Sequence, residues 1–241
     1  METGIRTLTL TDLQTTTPLK LEAYGAAGFA ADGRRFRYFG NGASAIVAGN
    51  LVVAPALVTN HQNLAVVTAV PANATSVVVT LGATAATVDQ YAEGTLVVGV
   101  AGSGVPVTLK IRGNTSGNAG GTITVSLATS SPVPFALNST NVVNLAPSVF
   151  NGSTASTTAG YPVGVVTTNV AANAFGWIQV YGPVGVVNDA GGLLTTFTRV
   201  KQSTTVAGAV VASTLATDVQ VGTQLQSTAA STAGLALISL D

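Results

Sequence analysis

Ser76–Leu81 reads SVVVTL, a run of β-branched side chains closed on one side by Pro71–Asn73 and on the other by Gly82. Such side chains are stiff at χ1 and crowd a helix, but they fit the pleated, half-buried surface of a sheet. The hexapeptide therefore predicts a short strand, and its neighbours repeat the type. Thr95–Val100, Val105–Ile111 and Thr122–Leu127 follow it, with Gly102-Ser103-Gly104 and Gly113–Gly121 as the turns. Start-to-start spacings of about 10–19 residues suit a sandwich or barrel of short strands. Val142–Leu145, Val163–Thr167, Gly176–Tyr181, Val184–Val187, Thr204–Val211, Asp218–Val221 and Leu235–Leu240 continue the pattern. No segment keeps a 3.6-residue apolar period, so long helices are not expected. Thr87–Gly94 (TVDQYAEG) is the exception. There Asp89 is expected to cap a single helical turn, Gly94 to end it in the left-handed region, and Tyr91 to point to the core. The expected fold is all-β: a short-stranded antiparallel sandwich or barrel with an extended N-terminal arm.

Composition narrows the chemistry. The 241 residues carry nine Lys+Arg and nine Asp+Glu, a formal net charge of zero, and only 7% are charged. An average soluble domain is roughly 25% charged. There is no Cys and one His, so a disulfide scaffold and a Cys-based metal site are excluded. Nucleic-acid binding by charge needs clustered Lys/Arg, which the neutral balance does not supply. Residues 113–188 contain no charged side chain. Thr, Ser, Asn, Gly and Pro still interrupt the run before the roughly 20 apolar residues of a spanning helix accumulate. Aromatics at 5% are too few for the girdles of an outer-membrane barrel. The N-terminus lacks a basic region followed by an apolar core, so no secretory signal is expected and assembly in a bacterial cytoplasm fits. So few charges give little repulsion between copies, which points to a surface buried in an assembly.

Charge is unevenly placed. Glu2, Arg6, Asp12, Lys20, Glu22, Asp32, Arg34, Arg35 and Arg37, half of the total, lie in the first 37 residues. Residues 1–45 are therefore read as an N-terminal arm. Residues 46–152 and 153–241 are read as two β subdomains that could also form one continuous domain. The Pro/Asn-rich stretch Ser130–Gly152 marks the boundary between them. No strict internal repeat is present, which speaks against a β-helix or propeller.

Four groups of residues could carry chemistry. Gly33–Tyr38 (GRRFRY) concentrates Arg34, Arg35, Phe36, Arg37 and Tyr38. Arg and aromatics anchor protein interfaces, and the neutral chain favours that reading over single-stranded nucleic acid. Alternation places Arg35 and Arg37 on one face, Phe36 and Tyr38 on the other. Gly176–Pro183 (GWIQVYGP) puts Trp177, Gln179 and Tyr181 on one side, as an exposed stripe for carbohydrate, an interface patch or a core anchor. Asp89 and Glu93 could form a glycosidase-like acid/base pair, though the capped turn is the plainer reading. His61, in Thr59–Asn63 (TNHQN), could be a general base or a structural loop residue, and it lacks companions for a metal site. Neither G-x-S-x-G, nor a P-loop, nor a strand-coupled dinucleotide fingerprint occurs. No catalytic residue, cofactor or metal is expected.

Several segments in order resemble a known family. They are Arg34–Tyr38 (RRFRY), Ala43–Ala56 (ASAIVAGNLVVAPA), Thr59–Asn63, Val79–Thr87 (VTLGATAAT), Asp89–Gly94 (DQYAEG), Ser148–Gly152 (SVFNG), Tyr161–Val166 (YPVGVV) and Gly176–Pro183. The set resembles the decoration, or cement, proteins encoded beside the capsid genes of tailed bacteriophages. The resemblance implies a non-enzymatic virion protein, assembled in the host bacterial cytoplasm, that binds the capsid exterior and stabilises the shell. Its implied partners are the major capsid protein and itself, as a homotrimer, with no nucleic acid and no membrane. Arg34–Tyr38 are then candidate capsid or subunit contacts. The alternative is a virion-associated receptor- or glycan-binding β protein using the Trp177–Tyr181 stripe.

Overall fold

The computed structural model describes residues 6–100, 106–189, 194–226, 229 and 232–240. It is nearly all β, with sheets forming a sandwich and a nearly closed antiparallel barrel. The chain divides into two compact units, Met1–Pro55 with Val149–Asp241, and Ala56–Ser148 between them in sequence. The first unit begins with β1 (Arg6–Leu8), α1 (Leu10–Gln14), β2 (Ala27–Ala30), β3 (Arg35–Asn41) and β4 (Leu51–Val53). The second contains β5 (Leu64–Ala65), β6 (Ser76–Thr80), β7 (Thr95–Val100), β8 (Val107–Asn114), β9 (Thr122–Leu127) and β10 (Asn141–Ala146). The first then resumes with β11 (Asn151–Ser153), β12 (Pro162–Val166), β13 (Phe175–Val187), β14 (Arg199–Gln202), β15 (Val210–Ala212), β16 (Gln220–Gln224) and β17 (Ala233–Ser239).

The second unit is the barrel. Its strand order is β5-β10-β7-β8-β9-β6, and a bridge from Val66 to Val79 brings the chain beside β5 back to β6. SVVVTL supplies β6, where Val77 and Val79 are fully buried and Val78 faces the other way. Strands β9 and β10 alternate in the same manner, so Ile123, Val125, Leu127, Val143 and Leu145 fill the interior. Each such side chain contributes about 1.5–3 kcal/mol on burial.

In the first unit β13 is the common strand of eleven. Its first half pairs with β3, in the register Trp177↔Tyr38 and Gln179↔Phe36, and with β12, in the register Val165↔Gln179. Its second half pairs with β17, from Tyr181↔Ser239 to Val187↔Ala233. The register shifts between Gln179 and Tyr181, and Gly182 takes φ +100° there, which bends the strand from one partner set to the other. Beyond β17 the sheet continues through β16 and β14 to β15.

The N-terminal region differs from the expected arm. Within residues 6–41, β1, β2 and β3 belong to the sheet: β3 lies between β2 and β13, and the sequence β1-β2-β3 forms one end of it. Part of the reason is that five of the segment's charges pair with one another. Arg6 pairs with Asp12 (2.7 Å) and Glu22 (2.5 Å), and Arg34 with Asp32 (2.7 Å). Leu8, Leu13, Phe36 and Tyr38 are thereby free to bury against Trp177. The division at 45 and 152 is likewise replaced by one discontinuous unit and one inserted unit, because β3 and β13 are hydrogen-bonded neighbours far apart in sequence.

One turn recurs through both units. An apolar or small residue is followed by two turn residues, a left-handed residue, and the entry to a strand. The fifth residue donates its N–H to the carbonyl of the second: Asn50 to Val47 (3.1 Å), Ala74 to Pro71 (3.3 Å), Gln90 to Thr87 (3.4 Å), Gly121 to Asn118 (2.9 Å), Asn141 to Asn138 (3.0 Å), Ala174 to Ala171 (3.2 Å) and Thr198 to Thr195 (3.2 Å). The first residues pair across the sheets, Ile46 with Val170, Val70 with Leu137 and Ala86 with Gly117. In six of the seven the fourth position is left-handed, at Gly49, Asn73, Asp89, Gly120, Asn173 and, in the last instance, Phe197, whereas Thr140 in the remaining turn is not.

Candidate functional site

The structure brings the two aromatic motifs of the sequence together. Trp177 and Tyr38 face each other across β13 and β3, with ring centroids 5.3 Å apart and edge-on at 70°. Tyr38 also stacks on Phe175 at 6.4 Å and accepts the Leu21 N–H on its hydroxyl at 3.0 Å. Helix α1 is fixed by a capping box between Thr9 and Asp12 and packs Leu13 into this corner. Gly28 is required beneath it, since a Cβ there would lie 2.4 Å from Leu8 and 2.9 Å from Trp177. The Arg6 guanidinium lies 5.9 Å from the Trp177 ring centroid, braced by its two carboxylates.

Trp177 is therefore a core anchor, 5% exposed, and Gln179 is fully buried. The exposed Trp–Gln–Tyr stripe does not form. Leu8 of β1 and Leu13 of α1 pack on the face of β13 that carries Trp177, and Tyr181 lies beyond the register shift. The Gln179 amide donates to the carbonyls of Tyr181 (3.2 Å) and Pro183 (2.9 Å), and its oxygen accepts from Arg34 (3.3 Å).

The basic segment is divided in the same way. Phe36 and Tyr38 are buried. Arg34 is bound by Asp32, whose carboxyl is held below the usual range by the Arg34 backbone N–H first and its side chain second. Arg37 donates to the Gly25 carbonyl at 3.1 Å. Arg35 stays exposed, with its guanidinium 4.9 Å from the Tyr181 ring centroid and 5.9 Å from that of Phe29. Arg35 on Tyr181 is the outward-facing remnant of both motifs.

In the barrel, His61 ends a 3-10 turn (Thr59–His61) and is fully buried. Its Nε2 is 2.9 Å from the Thr84 carbonyl, which can only accept, so Nε2 carries the proton. Nδ1 is then the acceptor for the Tyr91 hydroxyl in a short hydrogen bond. Burial pushes the Tyr91 hydroxyl up to about 12. The pair ties the loops at 59–61, 84 and 88–93 together. Its two ring nitrogens are both committed to the fold.

Asp89 and Glu93 depart from the expected cap. Both are left-handed (φ 55° and 59°), and the Thr87 N–H is bound by the Gln90 side chain at 3.0 Å. Asp89 Oδ1 accepts the Asn114 N–H at 3.3 Å. Glu93, not Gly94, takes the left-handed stop. Gly94 is needed for space, as a Cβ would lie 2.3 Å from the Ala146 carbonyl oxygen. Tyr91 does point into the core. Asp89, Arg112, Asn114, Thr115 and Ser126 line an open depression of about 340 Å³. Among the described residues no cluster of three His, Cys, Asp or Glu could hold a metal.

Two groups had no place in the sequence reading. Asp218 accepts from Lys201 (2.9 Å), the backbone N–H of Leu215 and Thr214, and Ser213, which together hold its carboxyl down to about 2. Phe197 is 76% exposed at a left-handed turn position. Only alignment of the recurring turns, whose left-handed residue varies, would have marked it.

No protein-family model, curated protein or solved structure matches the chain. No helix among the described residues is long and apolar enough to cross a membrane.

Proposed function

We propose that this chain is a structural, non-enzymatic virion protein that binds the outer surface of a tailed-phage capsid as a homo-oligomer and stabilises the shell. The observation that carries this reading is the character of the surface. Leu10, Leu19, Leu21, Leu57, Val88, Phe197 and Leu215 are each more than half exposed in a chain with only 7% charged residues. Scattered apolar residues are ordinary on a soluble protein, but there abundant charge surrounds them. Here the charges are few, and many are bound to one another. The ordered resemblance of Arg34–Val166 and Gly176–Pro183 to decoration proteins supports the same reading.

The function is mechanical. An oligomer that spans the seam between capsomers adds contact area across it, and many weak contacts act together through effective concentration. Arg35, stacked on Tyr181, is the side chain of the basic segment suited to anchoring the shell, since an Arg over an aromatic face is preorganised and exposed. The glycan reading draws no support from Trp177, which is buried. Electron microscopy of purified virions carrying this chain tests the proposal. Density on the head exterior is expected, weakened by Arg35→Glu. Its absence from the head, or its presence on the tail, would overturn it.

A further inference from the structure

The turn at Leu194–Thr198 breaks the rule of its siblings. At the left-handed position the others use Gly, Asn or Asp, and Thr140 avoids the conformation altogether. Gly has no Cβ to clash, and the short polar side chains tolerate the region, whereas a bulky residue there is strained. Phe197 accepts that strain at φ 65° and stays 76% exposed, the most exposed large apolar side chain among the described residues. Its ring is therefore not compensated by burial within the chain.

The turn adjoins an apolar sheet face. The Phe197 N–H donates to Gln224 at the end of β16 (2.7 Å), and the next residue, Leu225, donates to Leu235 of β17 (2.8 Å). Along β17 Leu235 and Leu237 are 40% and 42% exposed, while Ala236 and Ile238 between and beside them are buried. Their partners on β13 are Gly185 and Pro183, and Tyr181 follows at 39% exposure. Thr223 of β16 pairs with Leu237, and Arg199 of β14 with Thr223. The face is thus uncharged between Arg35, which stacks on Tyr181, and Arg199 at its far side.

The geometry points to this face, Tyr181, Pro183, Leu235 and Leu237 together with Phe197, as the surface by which one copy of the chain packs on a second copy. The charge pattern chooses the occupant. An acidic or basic partner would find nothing to pair with across the centre of the face. A second copy brings an equally uncharged face and, at formal net charge zero, no long-range repulsion. The size is sufficient. Phe197 and Tyr181 present roughly 200 Å² between them. The leucines and Pro183 bring the patch into the range of about 300–600 Å². Two such patches bury about 600–1,200 Å² together, a range that spans the roughly 1,000 Å² of a specific interface. The strain of Phe197 is the cost of placing a ring at the rim of that contact.

This inference rests on the self-association within the proposed function and names its surface. The test is mass measurement of the purified full-length chain across the micromolar range, with capsid co-sedimentation run separately. The wild type is expected to associate. Phe197→Asn suits the left-handed turn and removes the ring, so it is expected to fold with an equal or higher Tm and to associate at least about tenfold more weakly. Leu237→Asp is expected to abolish association, while Leu57→Asp, outside the face, leaves it unchanged. A monomeric wild type, or Phe197→Asn and Leu237→Asp variants that associate like the wild type, would overturn the inference. A monomer that still binds capsids removes this interface and leaves the capsid reading standing. An oligomer that binds no capsid does the reverse.

Discussion

The barrel interior and the N-terminal corner of the other unit solve the same problem with opposite materials. The barrel is filled by Val, Leu and Ile in strict alternation, and its fully buried aromatic, Tyr91, is tied to a fully buried His61. The corner packs Phe36, Tyr38 and Trp177 with two leucines, and closes over them with Arg6, Asp12 and Glu22. A chain with 5% aromatics and 7% charges has concentrated both where residues 6–41 join β13. The contrast teaches that a cluster of charge need not mark a tail. Charges that satisfy each other can be the lid of a core.

The largest expected effect tests the corner. Trp177→Ala removes a ring that meets Leu8, Leu13 and Tyr38, and should cost about 3–5 kcal/mol. Hydrogen exchange should show loss of protection in β1–β3 and β13 while β6–β10 keep theirs. Equal loss in the barrel would break the contrast. Next comes His61→Ala, which takes the partner from the part-buried Thr84 carbonyl and leaves the Tyr91 hydroxyl only its 3.5 Å contact with the Gln90 amide, at about 2–4 kcal/mol. Tyr91→Phe takes the partner from Nδ1 and the 3.5 Å acceptor from the Gln90 amide and should cost about 1–2 kcal/mol, so the double variant should cost less than the sum. Urea titration followed by exchange in the barrel strands measures all three.

How much of this was legible depended on whether a residue's partners were near in sequence. Strands β6, β7, β9 and β10 could be read because runs such as SVVVTL state their own period between Gly and Pro. In β3 the alternation of RFRYF gave the two faces, with Phe36 and Tyr38 inward, but not the neighbours, because its partner Trp177 lies far along the chain. The pairing of the GRRFRY and GWIQVY motifs is a fact of that register alone. Trp177 was equally undecided: alternation gave its side of the strand, but its cover comes from Leu8 and Leu13. The recurring turn was invisible for a different reason. Its apolar bridge is one residue long, and its left-handed position changes identity from Gly to Asn, Asp and Phe.

The two units should also fail at opposite ends of the pH scale. In the first unit Asp12, Asp32 and Asp218 all have carboxyls held below their ordinary 3.8, Asp12 chiefly by the Thr9 hydroxyl and Asp218, at about 2, chiefly by Lys201. A lowered carboxylate stabilises the fold above its unfolded value, and that contribution disappears as pH falls toward the folded one. The first unit therefore loses this contribution from about pH 4 down to about pH 2, and Asp218→Asn should flatten that limb. Tyr91 is raised to about 12 against an ordinary 10.0, so the contribution of its neutral hydroxyl to the barrel is full below pH 10 and is lost between there and about 12. Tyr91→Phe should remove that alkaline limb. Thermal melts of both variants across pH, read unit by unit through exchange, test the assignment. An acid limb centred in the barrel would reverse it.

The smallest expected effect has the opposite sign. Every other change considered removes something the fold uses, whereas Phe197→Asn relieves a conformation the fold only tolerates. A left-handed backbone costs a bulky L-residue about 1–2 kcal/mol, and Asn visits it readily. With the ring 76% exposed, little burial is lost in exchange. The dilute, unassociated variant should therefore gain about 1 kcal/mol, read as a small rise in Tm. Asn is the better replacement than Gly, because Gly loses more conformational freedom on folding and returns part of the gain. The turns at Asn73 and Asn173 already show Asn in this place. If the variant instead melts lower, the Phe197 ring contributes to its own chain's packing, and its strain is offset there rather than in a contact between copies.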